Sequence, residues 1–205
     1  VPWSDRRITT PTVAHQTILV LDFGSQYTQL IARRLRELSV YSEILPFDTP
    51  ADRIAARHPA GLILSGGPRS VSEPGAPRCD RALFELGVPT LGICYGMQLM
   101  TDTLGGRVGH APQGEYGDAL VQLQARTAEP PSPLLSGLPG ELKVWASHGD
   151  FVAAPPPGFA VVATSANAPV AAMADQGRRL YGLLFHPEVA HTDRGTEILR
   201  NFAFT

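Results

Sequence analysis

Val88-Pro89-Thr90-Leu91-Gly92-Ile93-Cys94-Tyr95-Gly96 runs directly into a helix-like stretch over residues 97–104. The segment reads as a short apolar strand that turns sharply into a helix, with a cysteine at the turn. Gly-x-Cys-x-Gly is the thiol version of the G-x-S-x-G elbow, in which small flanking residues let the backbone turn and leave the nucleophile exposed. At such a position the sulfur meets the amino end of the following helix, whose free N–H groups favour an anion. Taken alone, the pentapeptide also fits a buried structural cysteine flanked by glycines that merely permit close packing.

Working outward from this elbow, the order of elements is that of an α/β fold. Residues 18–23 form a short buried strand, and residues 26–38 carry Tyr27, Leu30, Ile31, Leu35 and Leu38 at helical spacing. Residues 40–46 and 61–65 repeat the strand pattern with a helical segment over 51–57 between them, and residues 80–86 lead to the elbow strand. Such alternation predicts a mostly parallel central sheet flanked by helices, with functional loops at the carboxyl ends of its strands. Gly24, Gly67, Cys94 and His186 all fall at such ends. After Gly105-Gly106 the pattern changes to short β-prone runs, 119–123, 143–146, 159–164 and 170–174, which predict a small antiparallel extension. Residues 195–202 read as a closing helix. Pro130-Pro131 and Pro155-Pro156-Pro157 mark loops, residues 1–16 form a polar extension with no imposed structure, and 17–205 make up one domain.

Two further segments bear on the thiol. Tyr181-Gly182-Leu183-Leu184-Phe185-His186-Pro187-Glu188 is an apolar strand ending in a histidine and a carboxylate. Pro187 biases His186 toward an extended backbone. Residues i and i+2 of an extended segment point to one side, so Glu188 is placed to hold the His186 tautomer. By itself His-Pro-Glu is a solvated turn; with Cys94 it completes the three roles of nucleophilic acyl transfer. Leu62-Ile63-Leu64-Ser65-Gly66-Gly67-Pro68 is another strand running into paired glycines. The amide of Gly67 beside that of Tyr95 supplies two donors for a tetrahedral oxyanion. The segment is no phosphate loop, for it lacks the lysine of that motif and Pro68 removes an N–H.

These segments, with Asp22-Phe23-Gly24-Ser25-Gln26-Tyr27, Arg33-Arg34-Leu35-Arg36-Glu37, Ser147-His148-Gly149-Asp150 and the Val189-x-His191-Thr192 tail, resemble the class I (triad) glutamine amidotransferases, over residues 17–204. Gly-x-Cys-x-Gly and His-Pro-Glu are shared across that class, while the Asp-Phe-Gly-Ser-Gln-Tyr opening, Ser-His-Gly-Asp and the Val-x-His-Thr tail are similar to its GMP-synthetase branch. The resemblance implies a glutaminase with Cys94 as nucleophile and His186 and Glu188 completing a triad, Gly67 and Tyr95 forming the oxyanion hole, and L-glutamine as substrate. It further implies that the ammonia is passed to an ATP pyrophosphatase module that aminates XMP with ATP and Mg. Nothing resembling that module's Ser-Gly-Gly-x-Asp-Ser loop occurs here, since Ser65-Gly66-Gly67 continues into Pro68-Arg69-Ser70.

Composition excludes several other classes. With 205 residues and 43% hydrophobic content the chain can bury a sizeable core. A formal net charge of -2 and no run of lysines or arginines argue against nucleic acid or an anionic membrane as partner. Two cysteines build no disulfide framework; with Cys94 as a working thiol, Cys79 is incidental and the compartment reducing, hence cytoplasmic. No apolar stretch reaches the roughly eighteen residues of a membrane span. The histidines show no metal spacing, and no cofactor is expected in this chain.

Of the remaining residues, Gln98 lies one helical turn past Cys94 and either faces substrate or is an exposed helical glutamine. Gly66, Ser147, His148, Gly149 and Asp150 are expected to contribute to the substrate pocket or to a surface facing a partner. His148 alternatively is a surface histidine, and no carboxylate sits beside it in the chain as Glu188 does beside His186. A γ-glutamyl hydrolase or peptidase-like enzyme of related fold would use the same thiol and histidine, and a non-catalytic binding module would need neither.

Overall fold

A computed structural model describes residues 16–124 and 132–204. The polar extension, apart from Gln16, and the Pro130-Pro131 loop lie outside the described residues. Nine strands form one sheet among them: β1 (Thr17–Asp22), β2 (Tyr41–Pro46), β3 (Gly61–Leu64), β4 (Thr90–Ile93), β5 (Arg107–Leu123), β6 (Glu141–Ala154), β7 (Ala160–Ser165), β8 (Ala172–Asp175) and β9 (Leu180–Leu183). Four helices accompany them: α1 (Thr28–Glu37), α2 (Ala51–Ala55), α3 (Tyr95–Thr103) and α4 (Gly195–Ala203), and the expected 80–86 segment is a short 3-10 turn, Arg81–Glu85.

The sheet order is β2-β1-β3-β4-β9-β8-β7-β5-β6. The first four pairings are parallel and the last four antiparallel, so the sheet is evenly mixed rather than mostly parallel. The expected small extension is instead nearly half of the sheet. Its size comes from β5 and β6, of 17 and 14 residues, where the sequence shows only two short apolar runs. Gly109, Gly114 and Gly117 interrupt the pattern of β5 and read as breakers. In the structure Gly114 is a point of close approach, since a Cβ there would lie 2.5 Å from the carbonyl oxygen of His148. The register also shifts between His110 and Glu115, a bulge that alternation cannot reveal.

In the parallel half the strands read as continuous apolar runs because both faces are covered. Ile63 and Leu64 are neighbours on β3, point to opposite faces, and are both fully buried. Leu64 joins a core with Ile54 of α2 and Met97 and Met100 of α3. Ile63 joins the other, with Ile31 and Leu35 of α1 and Ile198 and Phe202 of α4. Each such side chain contributes about 1.5–3 kcal/mol by leaving water. The helices thus fix the parallel strands from both sides, and β4 and β9, far apart in sequence, become hydrogen-bonded neighbours with Gly92 opposite Gly182.

Candidate active site

Cys94 is the N-cap residue of α3 and has φ 50°, ψ -106°. A non-glycine residue there is strained by an amount on the order of 1–3 kcal/mol and persists only where its surroundings over-determine it. They do so here. The Cys94 N–H donates to Leu183 of β9 at 2.7 Å, and its carbonyl accepts from Gln98 N–H at 3.0 Å. The flanking glycines are required by space: a Cβ on Gly92 would lie 2.6 Å from Gly96 backbone, and one on Gly96 would strike the carbonyl of Leu64. The sharp turn brings the thiol to the amino end of α3, where the first-turn amides, Tyr95 among them, have no acceptor within the helix.

β9 ends at Leu183, and the chain runs on past Phe185, which bridges to Ala146 of β6, to His186. His186 Nδ1 lies 2.8 Å from Glu188 Oε1, and both side chains are buried. Burial alone would push the imidazole down, but hydrogen bonds to Cys94 and Glu188 and the charges of both outweigh it, and the ring is pushed up to about 10. His186 therefore keeps its proton at neutral pH beside the sulfur. The second Glu188 oxygen has no partner among the described residues, so the carboxylate spends its one buried hydrogen bond on His186. Tyr27 stands edge-on to the His186 ring with centroids 5.2 Å apart. Cys79 differs in kind, for burial pushes its thiol up to about 11 and leaves it inert.

The Gly66-Gly67 turn is held from behind. Ser65 Oγ accepts from Phe23 N–H at 3.0 Å and donates to Gly66 carbonyl at 2.9 Å. Fixing that carbonyl fixes the plane of the Gly66-Gly67 peptide and with it the direction of the Gly67 N–H. Side chains would not fit at either glycine: a Cβ on Gly67 would lie 2.8 Å from Phe23 carbonyl, and one on Gly66 3.1 Å from His186 Cε1. Two clefts meet at Cys94. One, of about 340 Å³, is lined by Gly67, Gln98, and Ser147 through Asp150. The other, of about 400 Å³, runs between Gly24–Tyr27 and His186.

A strained thiol backed by a helix, a buried charged histidine held by a carboxylate, and two glycine-rich turns around one cavity are suited to nucleophilic attack on an amide. The sequence model of the family described as glutamine amidotransferase class-I matches residues 19–205.

The chain belongs to the class-I glutamine amidotransferase family.

Among curated relatives of this amidotransferase is a GMP synthase [glutamine-hydrolyzing] of Caldanaerobacter subterraneus subsp. tengcongensis, 53% identical over 94% of the chain and 36% of the relative. Another, from Thermus thermophilus, is 57% identical over 90% of the chain and 36% of its own length. The chain thus spans about a third of these relatives. A crystal structure of a protein from Thermoplasma acidophilum, described as a subunit of GMP synthase, superposes with a TM-score of 0.79 at 32% identity, covering 92% of each chain.

The predicted residues are therefore brought together around one sulfur, with two corrections. Gln98 is not an exposed helical glutamine: it is buried, borders the cavity, and its Nε2 donates to Asp150 carbonyl at 3.1 Å. His148 is not a surface histidine, and it does have a carboxylate beside it. Its Nε2 lies 3.2 Å from Glu115 Oε2, and Ser165 Oγ donates to the same carboxylate at 3.0 Å. Burial pushes His148 down, so its ring stays neutral where His186 is charged. No local pattern signals this pairing, because Glu115 lies on β5 and reaches His148 only through the β5–β6 register. Also unforeseen, Arg34 of α1 donates from Nε to the Glu188 carbonyl at 3.1 Å, and His110 Nδ1 lies 2.8 Å from Asp150 Oδ1. Among the described residues no group of three His, Cys, Asp or Glu is placed to hold a metal ion, and no helix is long and apolar enough to cross a membrane.

Proposed function

We propose that residues 17–205 are the glutaminase unit of a GMP synthase, hydrolysing L-glutamine to glutamate and ammonia. The observation that carries the reading is the strained Cys94 sharing its cavity with the Gly67 turn and facing a protonated His186. The Cys94 thiolate attacks the side-chain amide carbon, forming a C–S bond while the carbonyl electrons move onto oxygen. The amides of Gly67 and Tyr95 stabilise that oxyanion, each such donor being worth on the order of a hundredfold in rate or more. His186 gives its proton to the departing nitrogen, ammonia leaves, and a γ-glutamyl thioester remains on Cys94. The neutral His186 then takes a proton from water as water attacks the thioester, and glutamate and the thiolate are released. Glu188 orients the ring throughout. Gln98, Ser147, His148, Gly149 and Asp150 line the side of the cavity that receives the amino-acid end of glutamine, and Gly66 backs His186.

The similarity to glutamine-hydrolysing GMP synthases supports a partner module that takes up the ammonia, aminating XMP with ATP and Mg. The chain itself calls for no cofactor, nucleic acid or membrane, and a working thiol suits the reducing cytoplasm. The test is glutamate production by the chain alone and with an XMP-binding ATP pyrophosphatase module supplied with ATP, Mg and XMP. The expected result is slow hydrolysis alone and a rise on the order of a hundredfold with the loaded partner. Full activity alone, unchanged on mixing, would instead identify a stand-alone γ-glutamyl hydrolase.

A further inference from the structure

We infer that Thr192 is a positioning residue for His186, acting as a hydroxyl spacer between β6 and the histidine's own peptide; this rests on the acid–base role given above to His186. Where the chain passes β6 beyond the Ala146–Phe185 bridge, an antiparallel ladder would have Trp145 and His186 exchange two direct N–H···O bonds. Only one is direct: His186 N–H donates to Trp145 carbonyl at 3.0 Å. In place of the other, Trp145 N–H donates to Thr192 Oγ1 at 2.9 Å and Thr192 Oγ1 donates to His186 carbonyl at 2.6 Å. One hydroxyl, with one proton to give and lone pairs to accept, completes the ring of three bonds.

The consequence is geometric. The inserted oxygen holds the carbonyl side of His186 away from β6 while the amide side stays in contact, so the His186 peptide is tilted relative to the strand. Its side chain is aimed by that tilt. Thr192 is itself buried and fixed, with its N–H donating to Val189 carbonyl and the next residue, Asp193, donating to Lys143 carbonyl of β6. The same strand carries Ser147, whose carbonyl meets the Cys94 sulfur at 3.5 Å. The spacer therefore sets the distance between the proton carrier and the strand that contacts the nucleophile.

A spacer of this kind acts on rate rather than on substrate affinity, and it is replaceable by any residue that keeps the hydroxyl. Steady-state glutamine hydrolysis by Thr192→Val, isosteric but without the hydroxyl, and by Thr192→Ser, which keeps it, tests this with circular dichroism as the folding control. Thr192→Val is expected to lower kcat on the order of ten- to a hundredfold with KM within about twofold, as for an angstrom-scale misplacement of a reacting group. Thr192→Ser is expected to restore most of the rate. Should Thr192→Val not fold, Thr192→Ala is compared with Thr192→Ser in its place. Equal losses in the serine and hydroxyl-free variants, or a native kcat without the hydroxyl, would overturn the inference. His186→Ala, assayed alongside, separates the two ideas: a fully active His186→Ala enzyme removes the acid–base role itself, whereas an inactive one with a native Thr192→Val removes only the spacer.

Discussion

The sulfur of Cys94 lies 3.5 Å from the carbonyl oxygen of Ser147. This contact joins the two halves of the mixed sheet, for Cys94 closes the parallel strand β4 and Ser147 sits on the antiparallel strand β6. A neutral thiol donates to that carbonyl, while a thiolate is repelled by it and drawn to the His186 imidazolium. Moving the proton from sulfur to ring thus turns the sulfur from the substrate strand toward the base.

Cys94→Ala is expected to abolish glutamine hydrolysis and leave the far-ultraviolet circular dichroism unchanged, since the turn is set by backbone bonds to Leu183 and Gln98 that alanine retains. Cys79→Ala is expected to keep nearly full activity, its thiol being held protonated by burial. Glutamate release measures both, and an essential Cys79 would refute the assignment of the nucleophile.

Glu188→Gln is expected to reduce kcat less than His186→Ala, by about tenfold or more, because the carboxylate orients the ring without carrying the transferred proton. Both variants should leave KM near its native value. A Glu188→Gln enzyme as slow as His186→Ala would mean that the carboxylate is more than an orienting group.

The raised His186 titration has a definite sign. A group that must donate a proton is competent below its folded-state value, so kcat/KM should persist through neutral pH and fall only as pH rises toward about 10. Because Cys94 is one of the groups holding the ring up against burial, Cys94→Ala should move the His186 titration downward. Imidazole nitrogen chemical shifts across pH 5–11 report it, and an unmoved or raised value contradicts the thiol–imidazole contact.

Ser65→Ala removes the hydroxyl that fixes the Gly66 carbonyl and leaves the Phe23 N–H without its acceptor. The freed peptide lets the Gly67 amide turn away, and kcat should fall, with an upper bound on the order of the 10²- to 10³-fold cost of losing one oxyanion donor. Steady-state kinetics with unchanged KM is the expected pattern; a change confined to KM would place Ser65 in substrate binding instead.

What could be read in the chain was whatever depends on nearby residues. Gly92, Cys94 and Gly96 specify a strand-to-helix elbow within five positions, and His186 and Glu188 face one side because the chain is extended between them. The apolar runs of β1, β3 and β4 stand out because helices cover both faces. What could not be read depends on pairing across distance. β5 and β6 alternate exposed and buried positions through glycines that resemble turns, so their length emerges only when the two strands meet. The Glu115–His148 pair and the Arg34 bond to Glu188 follow from that register and from the packing of α1, and no local pattern announces either. The positive φ of Cys94 is likewise a product of the surrounding bonds rather than of its own preference.

The adjacency of β4 and β9 governs when the enzyme can come into being. Cys94 emerges from the ribosome in the first half of the chain, yet the amide of its elbow is held by Leu183 and its proton partner is His186. Until β9 is made, β4 is an open sheet edge, the kind that recruits stray strands. Closing it requires a contact between distant parts of the sequence, the slow step in topologies of this type. A nascent or truncated chain therefore carries its thiol without its chemistry, and ammonia production begins only when nearly the whole domain has been synthesised.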